Sequence, residues 1–236
     1  MPYTISHAVI ALPINKLITQ KIPIASIIVG SISPDFPYLI ALKPVHAPGH
    51  STLGVLIYCL LPSLILLSIW YKWLEKPNLD LLGLQQRNQQ FSKRQFFLLN
   101  IAGVLLGAYS HVLWDATSHV HSTFVQNSEF LTTTFFNLPV YKWNQYLSGV
   151  LGLFVLGTWY LVAAIKNRHN TYRGQLKLGL AIYLTSILLL VASANIIHQS
   201  VSLADFAVRT AIGVITGSAI AACIYAFAVN MQSRTS

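Results

Sequence analysis

The chain has 236 residues, of which 54% are hydrophobic and only 9% charged, and its formal net charge is +9. A soluble domain has about a quarter of its residues charged, so this composition excludes a surface that faces water throughout. The basic excess does not indicate nucleic-acid binding, because most Lys and Arg residues flank apolar segments, where they act as topology signals and contact anionic headgroups. The sequence therefore predicts a membrane protein that is surrounded by lipids and has no nucleic-acid partner.

The N-terminal region contains two short apolar segments, Ser6–Leu17 and Ile24–Ile32. Prolines interrupt or follow these segments at Pro13, Pro23, Pro34 and Pro37. We expect residues 1–45 to form a re-entrant or interfacial helical hairpin packed on the other helices, because irregular backbone at membrane depth must contact protein or water. The N-terminus lacks the basic n-region of a cleaved signal peptide, so we expect His7 to remain in the mature protein.

Longer apolar segments follow, and each approaches the roughly 20 residues that a helix needs to cross a bilayer. They are approximately Thr52–Trp73, Phe96–Asp115, Gln145–Ile165, Leu176–Ile197 and Phe206–Met231. The sequence therefore predicts an all-α fold, a polytopic membrane helix bundle of about five spans with the N-terminal hairpin against it. The even spread of these segments favours one membrane-embedded domain over residues 1–236, with the bundle over residues 46–236.

Basic residues are distributed unevenly among the connections. One set of connections and the C-terminal tail carry Lys72, Lys76, Arg87, Lys93, Arg94, Lys166, Arg168, Arg173, Lys177 and Arg234. The opposite connections carry only Lys43, Lys142 and Arg209. By the positive-inside rule, we expect a multi-pass protein of the cytoplasmic membrane whose residues 43–51, 116–144 and 198–205 face the extracytoplasmic side.

The segment SHVLWDATSHVH, at the end of the second long apolar stretch, carries the densest polar chemistry in the chain. His111 and Asp115 are four residues apart, so a helix places them on one face, and His119 continues that face. Neutral imidazole and carboxylate together suit zinc or a similar first-row metal. The alternative is a simple hydrogen bond or helix cap. A carboxylate beside hydrocarbon is costly, however, and a metal ion would compensate the charge of Asp115.

Two further candidates precede this segment. Asp35 lies between two prolines in a stiff turn, and His50 follows a Pro-Gly pair just before a long apolar segment. Alone, each would be an ordinary turn or interfacial residue. The predicted topology nevertheless places His50 on the same face as His111, Asp115 and His119, and Asp35 joins them if its segment continues to the outer connection. This convergence predicts a metal site near the outer face.

Two other residues are weaker candidates. His121 can replace His119 as a ligand or bind a second ion, and the sequence leaves this choice open. Tyr141, Lys142 and Trp143 are typical of an interfacial aromatic belt. Lys142 is also a lone cation on the predicted outer face, so it is a candidate for contact with an anionic substrate.

Several blocks of the sequence resemble, in order, those of a bacterial membrane family known as domain of unknown function 4184. The blocks are MPYTISHAVIALPI, GSISPDFPY, PGHSTLG, GAYSHVLWDATSHVH and LPVYKWNQYLSGVLGL, which lie between residues 1 and 153. That family is similar to membrane-bound metal-dependent hydrolases and, more distantly, to zinc-dependent phospholipase C and the fungal zinc nucleases. The resemblance implies a metal-dependent hydrolase in a bacterial cytoplasmic membrane.

In the phospholipase C group the metal ligands run in the order His, Asp, His, His-x-x-x-Asp and His, followed by His-x-x-x-Glu. The matching residues here are His7, Asp35, His50, His111, Asp115 and either His119 or His121. The resemblance implies that Asp35, His50, His111 and Asp115 hold one ion. His7 and Asp115 would hold a second, with Asp115 bridging the two. No His-x-x-x-Glu occurs in this chain, so a third ion is not expected.

These observations predict an integral-membrane hydrolase that uses one or two divalent ions, most simply zinc, on a phosphoester or lipid-type substrate at the outer membrane face. Asp35 and Asp115 are the predicted catalytic residues, since either carboxylate can orient the attacking water. The main alternative is a non-enzymatic, metal-stabilised membrane protein such as an assembly factor or sensor. A transporter is disfavoured because the last three apolar segments contain almost no ionisable groups.

Overall fold

The computed structural model describes residues 4–17, 22–85, 91–167 and 175–235. Within these ranges six helices are long and apolar enough to cross a membrane. They are α1 (Ile24–Ala41), α2 (Thr52–Leu81), α3 (Lys93–Ala116), α4 (Val140–Lys166), α5 (Leu176–Ile197) and α6 (Leu203–Thr235). The predicted all-α membrane bundle is confirmed, and the chain is a multi-pass membrane protein. Arg87, Arg168 and Arg173, on which the predicted orientation partly rests, lie outside the described residues.

Helix α1 adds a span to the five that the sequence predicted. It joins an α-helix over Ile24–Ile32, a 3-10 turn over Ser33–Asp35 and an α-helix over Phe36–Ala41. Pro34 and Pro37 do not end it, because each stands in the first turn of its helical segment. A proline is tolerated there, since the N–H that it lacks has no partner within the helix.

Shorter elements complete the N-terminal half. A 3-10 helix over Thr4–Ile10 and an α-helix over Ala11–Leu17 precede α1, and a 3-10 turn over Pro48–His50 precedes α2. Helix α2 alternates between α-helix and π-helix, in the order Thr52–Gly54 (α), Val55–Cys59 (π), Leu60–Ile69 (α), Trp70–Leu74 (π) and Glu75–Leu81 (α). Such π-helical turns inside an α-helix often lie near functional sites.

The connection between α3 and α4 has structure of its own. It contains short helices over Thr123–Gln126 and Glu129–Thr132, then antiparallel strands β1 (Thr134–Phe135) and β2 (Leu138–Pro139). Phe136 and Asn137 between the strands have φ values of 48° and 61°. Two successive left-handed residues are typical of the type I′ turn, whose twist matches that of a two-stranded hairpin.

The chain divides into two compact units. The first comprises Met1–Phe36, Ala47–Ile65 and Phe91–Thr158, and the second comprises Pro37–His46, Leu66–Gln90 and Trp159–Ser236. Every residue predicted to bind metal or substrate belongs to the first unit. The prediction of one domain over residues 1–236 stays a prediction.

In the first unit the N-terminal segment packs directly on α3. A Cβ added to Gly30 would collide with the backbone of Val104, and one added to Gly107 would collide with the backbone of Ile27 and Ser31. Small residues at such positions let two membrane helices approach backbone to backbone. This contact sets Asp35, in the interior of α1, beside the last turns of α3.

The second unit is held by close helix packing and one buried polar residue. Positions Gly213 and Gly217 of α6 lie against the backbone of α5. Asn78 is 1% exposed; its amide nitrogen donates to the carbonyls of Leu74 and Ala222, and its Oδ1 accepts from Tyr183. A fully bonded buried amide of this kind specifies how helices pair.

Candidate metal centre

The candidate ligands come from four separate segments of the first unit. The segments contribute His7 from the 3-10 helix, Asp35 from α1, His50 from the turn before α2, and His111 and Asp115 from α3. Three of these, His7, Asp35 and His111, are at most 2% exposed, and Asp115 is 8% exposed. Unpaired charges are rarely buried to this degree, so the cluster requires a specific source of compensation.

Local structure explains how α3 presents its two ligands. The helix begins with a capping box in which Ser92 and Gln95 satisfy each other's backbone N–H groups. It ends just beyond Asp115, whose carbonyl oxygen accepts the N–H groups of Ser118 and His119. The chain therefore turns back at the end of the helix, and this turn brings His119 close to Asp115.

Four donor atoms form a closed ring of short separations. His50 Nε2 lies 3.3 Å from Asp35 Oδ1 and 3.5 Å from Asp115 Oδ2. His111 Nε2 lies 3.8 Å from Asp35 Oδ1 and 3.4 Å from Asp115 Oδ2. Charge-assisted hydrogen bonds between such groups are shorter, at about 2.7–2.9 Å. Ligands about 2.0–2.1 Å from a tetrahedral ion lie about 3.3–3.4 Å apart, so neighbouring donors in the ring are close to the spacing of metal ligands.

Backbone carbonyl groups orient the rings of His50 and His111 through the ring nitrogen that faces away from the cluster. His111 Nδ1 lies 2.7 Å from the carbonyl oxygen of Ser31, and His50 Nδ1 lies 3.3 Å from that of Ala47. A carbonyl accepts only from a protonated nitrogen, so Nδ1 carries a hydrogen and Nε2 is the nitrogen that faces the ring of donors. Metal-binding histidines are held in this way by a partner behind the ring.

Asp35 has a similar support. The hydroxyl of Thr4 donates to Asp35 Oδ2 at 2.6 Å, which leaves Oδ1 directed at His50 and His111. Among the described residues, Asp35 Oδ1, His111 Nε2 and Asp115 Oδ1 are buried without a hydrogen-bond partner. Leaving a buried polar atom unsatisfied costs about 1–3 kcal/mol. Asp35 Oδ1 and His111 Nε2 face each other at 3.8 Å, and Asp115 Oδ1 faces His7, so divalent ions at these places would coordinate all three atoms.

His7 reaches the opposite oxygen of Asp115. Its Nε2 lies 3.4 Å from Asp115 Oδ1, and its ring stacks on that of His111 with centroids 3.9 Å apart. The ring of Trp114 makes an edge contact with the ring of His7, with centroids 5.3 Å apart. Two overlapping groups, which share His111, could hold a metal ion: His7, His111 and Asp115 in one, and Asp35, His50 and His111 in the other, with donor atoms within 4.8 Å of one another in each.

His119 is beside this cluster but outside both groups. Its Nδ1 lies 3.2 Å from the carbonyl oxygen of Asp115 and 3.6 Å from Asp115 Oδ1. Its Nε2 faces the side-chain amide nitrogen of Gln145 at 3.4 Å. His121 is exposed and likewise belongs to neither group. Lys142 lies one turn before Gln145 on α4 and donates to the Oε1 of Gln145 at 2.9 Å.

The two histidines in connecting segments differ in their electrostatics. Burial lowers the pKa of His50, but contacts with Asp115 and Asp35 outweigh burial and raise the pKa to about 10 from an ordinary 6.5. Burial dominates at His119, so the pKa of His119 lies below its ordinary value despite the nearby charge of Asp115. Without a metal ion, His50 therefore carries the proton that neutralises one carboxylate.

The cluster has a buried side, called the floor here, and a partly exposed side, called the mouth. His7, Asp35 and His111 form the buried floor, whereas the side chains of His50 and His119 are 25% and 30% exposed. A small molecule therefore approaches from the side of His50 and His119.

Sequence reasoning missed two supporting residues. Thr4 lies within the block MPYTISHAVIALPI, but nothing in the pattern indicates that its hydroxyl bonds to a carboxylate in another helix. Gln145 is one of several glutamines, and its role depends on its 3% exposure and on its contact with His119. The predicted ligands His7, Asp35, His50, His111 and Asp115 are brought together, and metal binding by them stays a prediction.

The fold and this cluster define a class of protein: a multi-pass membrane protein with a buried His/Asp group that can hold a metal ion. The chain belongs to the family described as domain of unknown function (DUF4184), whose profile matches residues 1–230. The expected family is thereby confirmed. No curated protein and no solved structure matches the chain.

Proposed function

We propose that the protein is an integral-membrane metal-dependent hydrolase acting on a phosphoester or lipid-type substrate. The observation that carries this proposal is the ring formed by Asp35, His50, His111 and Asp115. Neighbouring donor atoms in this ring are 3.3–3.8 Å apart, which is close to the spacing of ligands around one ion. Imidazole and carboxylate donors suit zinc or a similar first-row metal, and the partly exposed side chain of His50 leaves the group open to substrate.

The two oxygens of Asp115 face different histidines, which supports two ions rather than one. Oδ2 faces His50 and His111, whereas Oδ1 faces His7. Asp35, His50, His111 and Asp115 would hold the first ion, and His7 and Asp115 the second. His119 would stay outside both ions, because its two ring nitrogens already face Asp115 and Gln145.

When bound, ions of this type lower the pKa of water and polarise a phosphoryl or ester oxygen. Side chains of the protein would orient the attacking water, accept its proton and exclude bulk water. Asp35 or Asp115 would orient the attacking water and accept its proton. Asp35 is held in place by Thr4, and His7 with Trp114 excludes bulk water from one side.

The proposed setting is the cytoplasmic membrane of a bacterium, with the site on the extracytoplasmic side. Two observations support it. The basic residues concentrate in the connections that do not carry the site, as the positive-inside rule requires of cytoplasmic loops. The mouth of the cluster lies at the end of α3 and the beginning of α4, at a helix end where polar headgroups of lipids meet the protein.

A second candidate function is a structural metal site in an assembly factor or sensor. One observation favours it: the first ion would have four protein donors, and structural zinc sites are closed by four ligands. A catalytic ion needs a position for substrate. The two functions differ in whether the bound metal exchanges with added ligands and accelerates hydrolysis.

The test is the metal content of detergent-purified protein, by mass spectrometry, for the wild type and for His111→Ala and Asp115→Ala. We expect at least one equivalent of zinc or a similar ion in the wild type and loss of it in both variants. His46→Ala, which changes an exposed histidine of the second unit, is the control. A wild type without stoichiometric metal after supplementation would overturn the proposal. Hydrolysis of lipid phosphates by the metal-loaded protein then separates an enzyme from a structural site.

A further inference from the structure

Lys142 lies beside the candidate metal centre and has no carboxylate partner among the described residues. It stands in the first turn of α4, and no ion pair of Lys142 occurs in the part of the chain that the structure describes. Its ammonium group donates to Gln145 Oε1 at 2.9 Å and lies 5.8 Å from the ring centres of Tyr141 and Tyr146. These neighbours orient the ammonium group, but none of them neutralises its charge.

Gln145 connects this cation to the cluster. Its side chain is buried and uses both ends, since Oε1 accepts from Lys142 and the amide nitrogen donates to His119 Nε2 at 3.4 Å. His119 in turn contacts Asp115. A continuous polar path therefore runs from Lys142 through Gln145 and His119 to the proposed bridging carboxylate.

The start of α4 is anchored to the end of α3, so this path is held in place. Asn144 donates to the carbonyl and hydroxyl oxygens of Thr117 at 3.2 and 2.9 Å. The indole of Trp114 donates to the hydroxyl of Ser148 at 3.0 Å. Groups that are held before binding lose little entropy when a ligand arrives, which increases affinity.

The charges at the mouth favour an anion over a neutral molecule. Once divalent ions compensate Asp35 and Asp115, the ammonium group of Lys142 gives the mouth a net positive charge. A neutral ester would leave that charge without a partner when it displaces water. A phosphate group would accept a hydrogen bond from Lys142, while another of its oxygens reaches the cluster.

We propose that Lys142 forms a binding subsite for the phosphate group of the substrate, with Gln145 as a positioning residue that is itself held by His119. The inference rests on the proposed hydrolase and deepens it, because it selects a phosphorylated substrate over a neutral ester.

Equilibrium dialysis of metal-loaded, detergent-purified protein against radiolabelled inorganic phosphate tests the subsite, with metal content measured on the same samples. Lys142→Gln should keep the metal content of the wild type and bind phosphate at least about tenfold more weakly, because a charge-assisted hydrogen bond is lost. Lys142→Arg should bind within a few-fold of the wild type. Lys43→Gln, which removes another basic residue with an exposed side chain, is the control.

The outcomes separate this inference from the proposed function. Phosphate binding by Lys142→Gln at wild-type strength, or a metal-loaded wild type that binds no phosphate, would overturn the subsite and leave the metal centre standing. A wild type that holds no metal but binds phosphate through Lys142 would overturn the hydrolase and leave the subsite. Loss of metal in Lys142→Gln would assign Lys142 to the folding of the centre and would also overturn the inference.

Discussion

Replacing Asp115 by Asn tests the centre most directly, because this carboxylate lies 3.4–3.6 Å from the nitrogens of four histidines. Asn has the same size and keeps one oxygen, but it loses the negative charge. The carboxylate presents oxygen lone pairs to the histidines, whereas the amide nitrogen of Asn would present hydrogens, which cannot bind a metal ion. The variant should therefore fold and fail to hold metal.

The size of the effect follows from linkage. At a free metal concentration one hundred times the dissociation constant, binding stabilises the wild type by about 2.7 kcal/mol. Mutating a residue that only hydrogen-bonds to a metal ligand weakens metal binding by about 10–100-fold. Loss of a ligand itself should therefore weaken metal binding by at least about 100-fold. Stabilisation at the same metal concentration would then fall to about 0.4 kcal/mol or less. Since 1 kcal/mol shifts Tm by roughly 2–4 °C in a chain of this size, the metal-dependent rise in Tm should shrink by about 5–9 °C.

The assay is thermal unfolding in detergent with added metal and with chelator. Asp205→Asn, the same change at the start of α6 in the second unit, is the matched control and should behave as the wild type. The reasoning is refuted if Asp115→Asn gains as much from metal as the wild type does. It is equally refuted if chelator leaves the Tm of the wild type unchanged.

Three further changes test neighbouring parts of the argument. Thr4→Val removes the hydroxyl that donates to Asp35 and should weaken metal binding by about 10–100-fold, whereas Thr4→Ser should not, as measured by competition with a chromogenic chelator. Metal affinity should rise about tenfold per pH unit between about pH 6 and 8, because His50, whose pKa is raised to about 10, must release a proton to bind an ion. An affinity independent of pH would exclude His50 as a ligand. Gly107→Ala forces a Cβ against the backbone of α1 and should cost about 1–3 kcal/mol in unfolding measurements, whereas Gly157→Ala, with open space around it, should be neutral.

Helix content was predictable because hydrocarbon imposes a simple rule. Every backbone polar group must be bonded within the segment, so a long apolar stretch is a helix. The length of α1 was not predictable in this way, because Pro34 and Pro37 follow Ile32 and the helix nevertheless continues to Ala41. Proline interrupts a helix through its missing N–H, and in a first turn that loss has no cost. Whether a proline begins or ends a helical segment depends on the neighbouring packing.

The candidate ligands were predictable for a related reason. Ionisable groups are costly in an apolar chain, so the few that remain, such as Asp35, His111 and Asp115, stand out by their type and by the connections in which they fall. Their spacing along α3 follows from helix geometry alone. The contribution of Thr4 or Gln145 could not be predicted, since hydroxyls and amides are common and their partners lie far away in sequence.

The sequence by itself determined the membrane bundle and the chemical identity of the candidate cluster, because hydropathy and residue type act locally along the chain. Only the tertiary structure decided which oxygen of Asp115 faces which histidine, that His119 turns towards Gln145, and that Lys142 stands at the mouth. Those facts depend on distances of a few ångströms between segments that are far apart in sequence. Close contacts such as that of Gly107 with α1 set these distances.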